Sequence, residues 1–170
     1  MPEKRTLERA RKDRREGKAP STQAGEFVKE EIEHIRQGKH GARSTKQAIA
    51  IGLSKARRAG VNLPPPEKGQ TSEKTRRSAE RAWQRGQGAP AKRKPSARRS
   101  KATEQALERE GHSAASHKAL ARQAHTAAKN RTAAERSAAA KKAARTKGPA
   151  KMAQAARKAA RTRAAKAGSR

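Results

Sequence analysis

The residues with the clearest chemistry are cationic. Lys141, Lys142, Arg145, Arg157, Lys158, Arg161 and Arg163 stand at helical spacing in a stretch otherwise rich in alanine. Lys92, Arg93, Lys94, Arg98 and Arg99 form two clusters in GQGAPAKRKPSARRS, residues 86–100. Lys46, Lys55, Arg57, Arg58, Arg76 and Arg77 add six more upstream. Ammonium and guanidinium groups in this number suit phosphate neutralisation, which needs charge and no particular order. A solvated charge run is the competing reading of each cluster.

The other reactive side chains form no constellation. The absence of cysteine excludes a disulfide framework, a thiol nucleophile and a zinc knuckle. The histidines are His34, His40, His112, His117 and His125. His117 and His125 are eight residues apart and can share a helix face, but with few carboxylates nearby neither a metal site nor another cofactor is expected. No serine has a nucleophile-elbow context, and no glycine loop follows a strand. Neither an enzymatic activity nor a small-molecule substrate is expected.

The 170-residue chain carries 45 Lys and Arg against 15 Asp and Glu, a net charge of +30. Hydrophobic residues are 31%, much of that alanine, with one Phe, one Trp and no Tyr. Low hydrophobicity with high charge predicts extensive disorder. Charge is uneven. Residues 1–66 carry sixteen basic and eight acidic residues, whereas residues 101–170 carry eighteen and four. Such a surplus needs a polyanionic partner. Membrane binding is not expected, because the basic tail lacks an apolar face and no stretch of 18 apolar residues exists.

The elements that would position these cations are helical. The fold class expected is mostly α, with a small helical hairpin or three helices, a helical Ala/Lys/Arg-rich tail and no β-sheet. Residues 1–20 read as a charged, solvated arm with transient helix. In residues 21–66, Ala24, Phe27, Val28, Ile32 and Ile35 mark one helix face, stopped at Gly38. Glu31 falls inside that stripe, either at its edge reaching water or paired with a base of the next helix. Ser44 and Gln47 open the second helix as a capping box, and Gly60 and Val61 close it before Pro64-Pro65-Pro66. Ala48, Ile49, Gly52, Leu53, Ala56 and Ala59 form its expected apolar arc. The hairpin is short of large apolar residues and needs a third helix, self-association or a partner. Residues 67–86 hold that third helix, with Trp83 packing on the hairpin or stacking on a base. Residues 87–100 read as a basic linker. In residues 101–170 a short helix ends at Gly111, a long one runs from Ser113 to about Thr146, and a last one follows Gly148-Pro149. With few large apolar residues, nothing is expected to dock this tail.

Residues 24–66, and KHGARSTKQAIAIGLSKARRAG above all, resemble the shared segment of a family of small, basic, uncharacterised bacterial proteins. Some members carry a loose label of plasmid stabilisation or DNA binding. The repeated KAART of residues 142–146 and 158–162 resembles the tails of linker histones and of histone-like bacterial proteins. The first resemblance implies a bacterial source; with the basic surplus and the absence of cysteine, a nucleoid-associated protein of the cytoplasm is expected.

The function expected is non-sequence-specific binding of nucleic acid, chiefly double-stranded DNA, with possible self-association through the hairpin. RNA or ribosome association is the alternative, weakened by the lack of aromatic stacking platforms. An antitoxin-like protein-interaction module is a further one. A helix-turn-helix is disfavoured by the long Gly38–Arg43 loop and by the shortage of base-reading Asn and Gln.

Overall fold

Pro20 takes the first position of a helix, where its missing N–H is no loss. The helix, α2 (Pro20–Arg36), follows α1 (Lys4–Arg15) and precedes α3 (Thr45–Arg58) in the computed structural model, which describes residues 1–90 and 96–167. Gly38 stops α2 at φ +75°, and Lys39 N–H returns to His34 O at 3.0 Å. Gly60 stops α3 at φ +89°, and Val61 N–H returns to Ala56 O at 3.1 Å. Both ends are Schellman turns, in which a left-handed glycine satisfies the last carbonyls. Ser44 Oγ accepts the Gln47 N–H at 3.2 Å, and the Gln47 side chain accepts from Arg43 N–H at 2.9 Å, one residue before the expected box partner. Ser44→Ala should destabilise the protein by about 1 kcal/mol in urea unfolding. No loss would mean that Gln47 alone holds the turn.

The two helices pack antiparallel. Ile35 near the end of α2 meets Ala48 near the start of α3, while Phe27 and Ala24 meet Ala56 at the other end. The buried face of α3 is Thr45, Ala48, Gly52, Ala56 and Arg57, so Ile49 and Leu53 are only half-buried and Ala59 is exposed. Small residues let the backbones close up. A Cβ on Gly52 would come within 2.7 Å of Val28 Cα. The core is made by alanine and glycine proximity around Phe27 and Ile35 rather than by many large side chains.

The help that this hairpin needs comes from three places in the same chain. Residues 4–15 are not a solvated arm but a helix packed on α2, with Ala10 buried beside Phe27 and Leu7 against that cluster. The helix α4 (Glu73–Gly86) packs on α3 and buries Ala79 and Ala82. Its Trp83 is half-buried, and the indole N–H donates to Asn62 Oδ1 at 3.1 Å. Gly86 is part of the helix, and the left-handed stop is Gly88 at φ +95°.

The third contribution is residues 107–115, expected to float. The helix α5 (Ala97–Glu108) leads into a 3-10 turn, Ser113–Ala115, whose Ala114 and Ala115 are buried against Ile32, Ile35 and Ala48. Gly41 N–H donates to Leu107 O at 2.8 Å and Ala42 N–H to Gly111 O at 3.1 Å. Thr45 Oγ1 donates to Ala114 O at 2.7 Å, and Arg36 Nε to Ala115 O at 2.8 Å. The approach is so close that a Cβ on Gly41 would sit 1.8 Å from Glu110 O. Gly41→Ala should therefore undock this segment at a cost of about 1–3 kcal/mol. Hydrogen exchange checks it: amides 41 and 42 should lose protection, and unchanged protection would contradict the close approach.

The expectation of extensive disorder is thus corrected. Helices occupy most of the described residues, and no strand occurs among them beyond an isolated bridge between Lys68 and Thr71. The first compact unit spans Met1–Gln123 and the second Ala124–Arg170. The expected long helix is two, α6 (His117–Lys129) and α7 (Ala133–Ala167). Ser116 Oγ caps α6 by accepting Ala119 N–H at 3.2 Å. Thr132 and Glu135 form a reciprocal capping box that starts α7, with Thr132 N–H donating to Glu135 Oε2 at 2.7 Å and Glu135 N–H to Thr132 Oγ1 at 3.2 Å. The Thr132 N–H holds the Glu135 carboxyl below its ordinary pKa. Gly148, at φ +71° and ψ 166°, breaks α7 before Pro149, at the expected stop.

Candidate functional site

Two groups of side chains stand out from the packing. One is acidic and buried in the first unit; the other is basic and exposed in the second.

The first group lies on α2 and α3. Glu31 points into the interior with a side chain 1% exposed, and its Oε2 pairs with Lys55 Nζ at 2.5 Å. Glu31 Oε1 is 3.3 Å from His40 Nε2. Glu30, one residue back, is also buried; its Oε2 accepts the Glu3 N–H at 3.2 Å, and its Oε1 is 3.9 Å from Lys55 Nζ. Glu3 in turn holds His34 Nε2 at 2.8 Å and Lys39 Nζ at 3.3 Å on its Oε1. Those two partners, His34 first, keep the Glu3 carboxyl below its ordinary pKa. A cavity of about 740 Å³ opens beside Glu31, His34, His40 and Lys55, with Arg58, Arg99 and Leu107 on its walls. Glu31 does not reach water at the edge of the stripe; the ion pair with the next helix is what the fold contains.

The second group is the cations. Lys141, Lys142, Arg145, Arg157, Lys158, Arg161 and Arg163 are all exposed on α7. From Ala124 to Ala167 every residue of described exposure except Gly148 is exposed. This unit holds fourteen Lys and Arg against the single carboxylate Glu135.

The cations of the first unit divide. Lys46, Arg58, Arg98 and Arg99 are exposed. Lys55 is committed to Glu31. Arg57 is buried, with Nε donating to Leu63 O at 3.1 Å and Nη2 to Pro64 O at 3.3 Å. It fastens the proline segment to α3, and burial lowers its pKa from the ordinary value. Lys55 and Arg57, both expected to face phosphate, are here spent on Glu31 and on the proline segment. Arg76 and Arg77 both bind Glu73 one turn back and hold its carboxyl down to about 2. Lys92, Arg93 and Lys94 lie outside the described residues.

Residues 3–68 match DUF6496, a family of unknown function. The DUF6496 segment takes in α1, α2, α3 and the proline stretch, and so includes Glu31, His34, His40 and Lys55. No curated protein and no solved structure matches the chain. Residues 107–115, which dock on the DUF6496 segment, and α7 lie beyond it.

Sequence reasoning missed the grouping of Glu31, His34 and His40. Its signal was present: a carboxylate and a histidine one helical turn apart, then a second histidine just past the glycine stop. No helix among the described residues is long and apolar enough to cross a membrane.

Proposed function

We propose that the chain binds nucleic acid, double-stranded DNA foremost, as an architectural protein of the nucleoid acting through phosphate contacts and without base readout. The observation that carries this reading is the second unit. Its described residues are alanine-rich helix broken by the turn at Asn130–Thr132, and those of described exposure carry twelve basic residues against one acidic residue, with no apolar face to bury among them. Self-repulsion among those charges falls when phosphates replace their counterions. Lys141 and Arg145 are one turn apart, as are Arg157 and Arg161, so each pair presents two cations on one side of a helix. Alanine between them keeps the rod narrow enough for a groove and adds no base-reading group. Lys46, Arg58, Arg98 and Arg99 supply further exposed charge on the first unit. The first unit, with its own core, serves as the folded body that carries the basic helices.

Fluorescence anisotropy with the full chain tests the reading. Two duplexes of unrelated sequence should bind with equal affinity, and duplex RNA more weakly than DNA. A strong preference for one sequence, or no binding at low salt, would overturn it. Tighter binding to RNA would move the assignment from the nucleoid to an RNA partner.

A further inference from the structure

We infer that Glu31, His34 and His40 form a binding site for one divalent metal ion of the zinc type. Glu31 and His34 lie one turn apart on α2, and the glycine turn that ends α2 folds His40 back beside them. The three residues offer ligand atoms that all lie within 4.8 Å of one another. Two of the atoms are already placed for a shared ion. His40 Nε2 and Glu31 Oε1 are 3.3 Å apart, and donors at about 2.0–2.1 Å from one tetrahedral zinc are separated by about 3.3–3.4 Å.

A second observation points the same way. The Glu31 carboxylate is buried at the cavity; Lys55 Nζ meets its Oε2, while its Oε1 makes no hydrogen bond and has only His40 Nε2 beside it, at 3.3 Å. Burying an ionised carboxylate on those terms is costly unless cations compensate it. Lys55 covers Oε2, so Oε1 is the oxygen open to an ion, and coordination through Oε1 alone leaves the Lys55 pair in place. Buried Glu30 adds a second negative charge next to the set. Glu3, on His34 Nε2, occupies the place of the outer carboxylate that fixes the orientation of an imidazole ligand.

The donor chemistry selects the metal class. Two imidazoles and one carboxylate suit zinc and its neighbours, whereas magnesium and calcium prefer oxygen donors throughout. Three protein ligands leave a fourth position, and the cavity of about 740 Å³ gives it access to water or a small ligand.

The test is a cobalt(II) titration of the tag-free full chain, read in the visible spectrum, followed by displacement with zinc. One equivalent should produce intense tetrahedral bands that zinc abolishes. His34→Ala and His40→Ala should each weaken binding by more than about 100-fold, and Glu3→Gln by about tenfold, because outer partners contribute 10–100-fold to metal affinity. Lys55→Met should tighten binding, since it frees the second oxygen. His117→Ala should change nothing. Far-UV ellipticity reports whether each variant folds, and His40→Gln, which keeps the side chain's bulk, must lose the bands as well. Absence of stoichiometric binding, or full binding in His34→Ala and His40→Ala alike, overturns the site.

Discussion

Between about 50 and 200 mM salt, the affinity of the full chain for a mixed-sequence duplex should fall by about 10³–10⁵-fold. This follows if six to ten of the cations on the second unit meet phosphates, each adding about 0.9 to the log–log slope. Neutralising Lys141, Lys142, Arg145, Arg157, Lys158 and Arg161 to glutamine should flatten the slope by up to roughly five. The six side chains are exposed, so the substitution removes charge without touching the packed core. Glutamine keeps helix propensity close to that of lysine and arginine, so a loss of slope reports charge and not unfolding. Anisotropy measured at four or five salt concentrations gives both numbers. An unchanged slope in the neutralised variant would place the phosphate contacts elsewhere.

Lys55→Ala should lower stability by roughly 3–5 kcal/mol in urea unfolding. The cause is Glu31, which would be left buried with its strongest cationic neighbour gone. The same truncation at Arg76, which pairs with Glu73 on the surface of α4, should cost under about 1 kcal/mol. Glu31→Leu combined with Lys55→Ala should recover most of the loss, since removing both charges also removes the desolvation penalty. The double variant matters because it separates a buried charge from a packing defect: a cavity left by Lys55 would persist in Lys55→Ala whatever stands at position 31. A Lys55→Ala cost below about 1 kcal/mol would mean that Glu31 reaches solvent and that the ion pair is incidental.

The helices with clear punctuation were legible. Gly38, Ser44 and Gly60 act locally, each on a few backbone groups within one turn, so their effect can be read from neighbouring residues alone. The core was less legible. Ala24, Ala48, Gly52 and Ala56 look like poor core formers when side-chain area is counted, but they gain their contacts by letting α2 and α3 approach. The docking of residues 107–115 could not be read at all. It rests on bonds from the Gly41 and Ala42 amides and on carbonyls that receive Arg36 and Thr45, none of which leaves an amphipathic period. Among the cations, charge alone could not separate Lys55 and Arg57, which serve the fold, from Lys46 and Arg58, which face water. That separation depends on which side of α3 meets α2: the expected arc shares Ala48, Gly52 and Ala56 with the buried face but is rotated toward Ile49 and Leu53, away from Thr45 and Arg57.

The most direct test of the account is where the nucleic acid touches the protein. Full-length chain bound to a mixed-sequence duplex at low salt can be photocrosslinked and the crosslinked peptides identified by mass spectrometry. The account expects crosslinks concentrated between Arg131 and Arg163, with few on residues 44–59. Crosslinks concentrated on α3, around Lys46 and Arg58, with the second unit free, would contradict it and make the hairpin itself the binding element.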